Sequence, residues 1–142
     1  MKRLKRFNDI MKYLKTFEDL ENNTLPQEIV RNLKDICLEL NDQGINTDCN
    51  YYPKLLISGT ISGGYIDVGI EKMDFNDYND LCWGDVSETI DRIIDYMKSE
   101  NWSLSSLNIE GDNLINPEHW IENLRKKPEY TFTGLTIYFV EN

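Results

Sequence analysis

Few residues in this chain have the type and spacing to do bond chemistry. The single histidine, His119, stands in Asn116-Pro117-Glu118-His119-Trp120. Nucleophilic catalysis needs such a base beside a serine, cysteine or threonine. A lone histidine next to tryptophan reads first as a partly exposed surface residue. Cys82, in Cys82-Trp83-Gly84 just before an expected helix start, is the best place for a thiol of lowered pKa. No base lies near it in sequence. A small hydrolase-type enzyme built on Cys82 or His119 therefore ranks behind the binding readings developed below, and no catalytic residue is assigned.

Carboxylates are the other candidates. The stretch Asp74-Phe75-Asn76-Asp77-Tyr78-Asn79-Asp80 invites a calcium-loop reading. Counted from Asp77, the EF-hand pattern finds Asn79, Asp85 and Glu88 at its third, ninth and twelfth positions. Leu81 and Cys82 fill the fifth and sixth, where a ligand and a glycine are required. The match fails, and neither metal nor cofactor is expected. From Asp67 to Glu100 ten carboxylates stand against three basic residues. Asp74, Asp77, Asp80, Asp85, Glu88, Asp91 and Asp95 would form one negative surface with Trp83 as its anchor. Such a surface could mimic nucleic-acid phosphates in the basic groove of a host enzyme. Against this, small acidic domains are commonly just soluble. No P-loop or G-x-G-x-x-G pattern occurs, and Gly59 and Gly63-Gly64 flank strand residues as bend and turn.

The composition sets the frame. The chain has 142 residues, 25 Asp+Glu against 15 Lys+Arg, a formal charge of −10, and 11% aromatics. That length suits one domain with its own core, and the aromatic content argues against disorder. No run approaches the roughly 18 apolar residues of a membrane span, and the charge is wrong for a nucleic-acid binder. Neither a membrane nor nucleic acid is therefore expected as a direct partner. Cys37, Cys49 and Cys82 are odd in number and form no CxxC or Cys/His cluster, so neither a disulfide framework nor a zinc site is indicated. Cys37 and Cys49 read as small core residues in a reducing compartment. The chain lacks alanine, while Ile and Asn occur 15 times each, as an AT-rich gene would produce.

The acid is unevenly spread. Residues 1–15 hold Lys2, Arg3, Lys5, Arg6, Lys12 and Lys15 against Asp9 alone, whereas the remainder carries nine basic and 24 acidic groups. The chain divides into a basic amphipathic helical arm, 1–22, and a single acidic α+β domain, 23–142. Leu4, Phe7, Met11, Leu14 and Phe17 make the apolar stripe of the arm at 3–4 spacing. A stripe of this kind can hold a protein partner or a second copy of the chain. It can equally dock on the acidic domain of its own chain. MKRLKRFNDI and MKYLKTFEDL repeat at Met, Lys, Leu, Lys, Phe and Asp.

The second copy, Met11-Lys12-Tyr13-Leu14-Lys15-Thr16-Phe17-Glu18, resembles the M-K-x-L-K-x-F-E opening of many small bacteriophage proteins, some of them packaged in the phage head. The resemblance covers about a tenth of the chain. It implies a viral setting, in the virion or the host cytoplasm.

These features need elements to position them. Thr24 as cap, Pro26 in the first turn and Gly44 at the end frame a helix buried through Ile29, Val30, Leu33, Ile36, Cys37 and Leu40. Strands are expected at Ile45–Tyr51, Lys54–Ile61 and Tyr65–Glu71, with a hairpin turn at Ser62-Gly63-Gly64. A loop from Met73 to Gly84 precedes a helix opened by an Asp85/Glu88 capping box, with Glu88→Arg92 as an outer ion pair. A strand at Trp102–Glu110 should bulge at Ser105-Ser106, and a short helix at Pro117–Leu124 capped by Asn116 precedes the last strand, Thr131–Val140.

The order is ααβββαβ(α)β: two N-terminal helices, then about five strands in a mainly antiparallel sheet with helices over one face. Its α-β-β-β-α portion has the order of a double-stranded-RNA-binding domain. That family needs lysines at the start of its last helix. Asp85-Val86-Ser87-Glu88 stands there instead, which rejects RNA binding. The reading is a non-enzymatic interaction protein of bacteriophage origin, virion-associated or accessory, that binds another protein. The alternative is a host-directed inhibitor acting as an acidic nucleic-acid mimic.

Overall fold

A computed structural model describes residues 25–53, 55–57, 60–62, 64–72 and 80–142. The basic arm with Leu4, Phe7, Met11, Leu14 and Phe17, the Thr24 cap, and Asp74 and Asp77 all lie outside the described residues.

Helix α1 spans Pro26–Asp42. Proline at its first position lacks the N–H that would otherwise go unpaired, and Glu28 meets the positive end of the dipole. Ile29, Leu33, Cys37 and Leu40 recur at helical spacing and are buried, with Val30 and Ile36 half-buried beside them. Each fully buried aliphatic stabilises the fold by about 1.5–3 kcal/mol. Gly44, at φ +82°, ends the helix in a conformation that other residues adopt only with strain.

Strand β1 (Ile45–Tyr52) pairs antiparallel with β4 (Tyr65–Lys72), from Ile45↔Lys72 to Tyr52↔Tyr65. Between them β2 (Leu55–Ile57) and β3 (Thr60–Ser62) pair only with each other, from Leu55↔Ser62 to Ile57↔Thr60. The expected strand at Lys54–Ile61 is therefore not a member of the main sheet. Ser62, expected in the turn, is a strand residue. The two short strands form their own two-stranded ladder, separate from the five-stranded sheet.

Next come β5 (Leu81–Cys82), α2 (Trp83–Ser99), β6 (Trp102–Ile109), β7 (Asp112–Leu114), α3 (Pro117–Arg125), β8 (Thr131–Phe132) and β9 (Gly134–Glu141). The main sheet has five strands in the order β1-β4-β9-β6-β7, with every neighbouring pair antiparallel. The last strand is thus the central one. It carries Leu135, Ile137 and Phe139 into the core, facing Ile66, Val68 and Ile70 of β4 and Leu107 and Ile109 of β6. The register of β6 against β9 shifts between Leu104 and Ser106, as the broken alternation there predicts. Among the described residues the fold is mixed α+β, with three helices on one face of the sheet.

Helix α2 begins two residues before the expected Asp85 cap. Its N-terminal groups are satisfied from elsewhere in the chain: the Trp83 N–H donates to the Tyr130 carbonyl at 2.8 Å, and the Gly84 N–H to the Pro128 carbonyl at 2.9 Å. The two-residue ladder of Leu81-Cys82 with Thr131-Phe132 places those carbonyls, so no side-chain cap is needed. Asn116 does precede α3, at φ 63° and ψ 62°, but it too makes no side-chain cap bond. Arg92 forms its ion pair with Glu39 on α1, not with Glu88 as helical spacing suggests. With the Asn32 Nδ2 bond to the Tyr96 hydroxyl at 2.8 Å, that pair ties α1 to α2. Cys37 and Cys49 are free and buried against each other across α1 and β1, where the contact and the burial together push the Cys49 thiol well above its usual range. Among the described residues no helix is long and apolar enough to cross a membrane.

Candidate functional site

Strand alternation sends every second side chain of the sheet away from the helices. On that open face the ladders place four rows side by side. Tyr52 lies beside Tyr65 and Val140. Asn50 lies beside Asp67 and Tyr138. Asp48 lies beside Gly69, Thr136 and Asn108, and Asn46 beside Glu71 and Gly134. Glu110 adjoins the last row, its N–H donating to the Gly134 carbonyl at 3.1 Å.

Asparagine amides orient these carboxylates. Asn50 Nδ2 donates to Asp48 Oδ2 at 2.8 Å and to Asp67 Oδ1 at 3.2 Å, and Asn46 Nδ2 donates to Glu71 Oε1 at 3.0 Å. Each carboxylate retains acceptor capacity for a further donor. Among the described residues no lysine or arginine stands on this face. Lys72 has the parity of Ile66, Val68 and Ile70, which point to the helices. The field is felt locally. Asp67 has its pKa raised by partial burial, and the Tyr52 hydroxyl is raised chiefly by the negative charge of Asp67.

At one end Tyr52 and Tyr65 stack with centroids 4.6 Å apart, and Tyr138 follows at 6.1 Å from Tyr65. Toward the other, Gly69 and Gly134 offer no side chains, so a trough of about 330 Å³ opens between Asp48, Glu71, Asn108 and Glu110. The arrangement can accept hydrogen bonds from cations in the trough and stack a planar cation on the tyrosines.

A second concavity, of about 490 Å³, lies between α3 and the β6–β7 hairpin. Trp120 and Tyr130 are exposed at its edge.

Among the described residues, those singled out by type and spacing lie on several elements. Trp83, expected as a surface anchor, is 1% exposed and packs on Phe132 at 6.3 Å. It belongs to the core and cannot serve a partner surface. Its position at the start of α2, under the β5–β8 ladder, turns the indole inward. Asp91 is bound to Arg125 at 2.7 Å, and Asp80, Asp85, Glu88 and Asp95 are exposed. His119 is exposed on α3, where its Nε2 lies 3.2 Å from Asn123 Nδ2. Cys82 is half-buried in the N-cap position of α2. Among the described residues no group of three His, Cys, Asp or Glu is arranged to hold a metal ion.

The open-face carboxylates form no motif in sequence, because Asp48 lies on β1, Asp67 and Glu71 on β4, and Glu110 in the β6–β7 turn. Strand parity alone could have placed Asp48, Asp67 and Glu71 outward. Comparison of the chain with protein-family models, curated proteins and solved structures found no match in any of the three.

Proposed function

We propose that this protein is a non-enzymatic interaction module that engages a basic surface of another protein through the open face of its sheet. The observation that carries the reading is the one-sided charge of that face: Asp48, Glu71 and Glu110 line a trough to which no lysine or arginine contributes, and Asp67 stands one row away. Sheets covered on one side need only a polar outer face, and mixed charges would serve equally well. A face of one sign steers an oppositely charged partner and rejects like-charged ones. The Tyr52–Tyr65 stack adds a platform for arginine, whose planar guanidinium lies on aromatic rings and pairs with carboxylates. The phage-like Met11–Glu18 opening supports a virion or host-directed setting for that partner.

The test compares two variants of equal net charge. One is Asp48→Asn/Asp67→Asn/Glu71→Gln on the face; the other is Asp85→Asn/Glu88→Gln/Asp95→Asn on α2. Titration with an oligo-arginine peptide should show affinity that falls with salt and drops about tenfold or more for the face variant only. Equal loss in both variants would mean that net charge alone binds the peptide, and the reading would fail.

A further inference from the structure

The cleft between α3 and the β6–β7 hairpin adjoins the face proposed above at Glu110 and has a different chemistry. Its volume, about 490 Å³, is within the roughly 300–1,000 Å³ of small-molecule sites. Leu124 and Ile109 form apolar walls, with Trp120 and Tyr130 at the opening. Of the three tryptophans, Trp83 and Trp102 are 1% and 4% exposed, while Trp120 is 41% exposed. An indole left this open, beside a half-open tyrosine at 37%, offers ring faces to a planar group.

The charges are sorted. Lys126 and Lys127 stand together at the end of α3 and, among the described residues, neither forms an ion pair. Adjacent Arg125 is doubly held, by Asp91 at 2.7 Å and Glu122 at 2.9 Å. Two unneutralised cations side by side in a chain of charge −10 are an anion site in waiting. The hairpin wall carries Glu110 and Asp112, which repel an anion but accept hydrogen bonds from hydroxyl or amino groups. A ligand that fits has a planar ring for Trp120 and Tyr130, an anion toward the lysines and donors toward the hairpin.

We propose that this cleft binds a planar aromatic anion, with a nucleoside monophosphate as the form that uses all three walls. Its base stacks at Trp120, its ribose diol donates toward Glu110 and Asp112, and its phosphate meets Lys126 and Lys127. An aryl carboxylate shares the ring and the anion but lacks the diol.

The probes are AMP, adenosine and indole-3-acetate, added to the full chain and followed by calorimetry and tryptophan fluorescence. Because Trp120 is the exposed indole, AMP should quench the accessible part of the emission. Lys126→Gln/Lys127→Gln should weaken AMP about tenfold or more and leave adenosine unchanged. Trp120→Leu should weaken both by calorimetry. Both are substitutions at exposed positions, and far-UV circular dichroism checks that the fold is kept. Tighter binding of indole-3-acetate than of AMP would overturn the nucleotide assignment. Absence of heat and quenching with all three at millimolar concentration would overturn the site. Neither result touches the open-face variants, so the two proposals fail separately.

Discussion

The Glu110 carboxylate holds the start of the central strand: its Oε1 accepts the Thr133 backbone N–H at 2.8 Å, across a sequence gap of 23 residues. Glu110 does this from φ 53°, a left-handed conformation that favours glycine or asparagine, and Gly111 follows at φ 90°. Both occupy the tight turn of the β6–β7 hairpin, where Ile109 pairs with Asp112 and positive φ is required. Backbone strain and a side-chain clamp therefore meet in one residue, at the junction of trough and cleft. Glu110→Ala keeps the strain and loses the clamp, and should cost about 1 kcal/mol in urea denaturation. Glu110→Gly loses the clamp but relieves the strain, and should cost less than half as much. The reverse order would show that the left-handed conformation at position 110 carries little strain.

Asp67 makes stability depend on pH in a defined direction. Partial burial raises its pKa, so the fold favours the protonated form. Its favourable contribution is complete below the ordinary carboxylate value of about 3.9 and is lost as pH rises through the raised value in the fold. Asp67→Asn should accept the Asn50 amide equally well and be more stable than wild type at neutral pH. After solvent screening the gain is a few tenths of a kcal/mol, about 1 at most. It should vanish near pH 3. Thermal melts of both proteins from pH 7 to pH 3 check this, and a difference that grows on acidification would contradict it.

Gly84 is the close-approach point of α2. A Cβ there would lie 3.2 Å from both the Pro128 Cβ and the Pro128 carbonyl oxygen, the acceptor of the Gly84 N–H. Helix propensity favours Gly84→Ala by up to about 1 kcal/mol. Overpacking against backbone costs about 1–3 kcal/mol, so the crowding should win. Chemical denaturation should show a net loss of stability. A stabilised variant would show that the chain around Pro128 yields easily.

What could be read in advance follows the reach of each signal. Alternation along β4 and β9 and the 3.6-residue stripe of α1 report which side of an element meets apolar neighbours, and all three hold in the structure. The bulge near Ser105 and the stop at Gly44 are equally local, because each depends on backbone geometry within a few residues. The start of α2 differs from a local Asp85 cap, since the carbonyls that satisfy it come from Pro128 and Tyr130, more than 40 residues away. Arg92 departs from helical spacing for the same reason: Glu39 on a neighbouring helix competes with Glu88 on its own.

By itself the sequence determined an acidic α+β chain with a basic opening, its helix faces, most of its strands and the outward parity of Asp48, Asp67 and Glu71. Only the tertiary structure decided that β9 enters between β4 and β6 and that Leu56 and its neighbours fold back as a separate ladder. It also decided that Trp83 is core and that carboxylates from separate strands share one uncompensated face. Periodicity is a property of one segment and survives in isolation. Strand order, by contrast, comes from competition among non-local pairings, each favoured by the apolar area it buries and opposed by the entropy of the loop it closes.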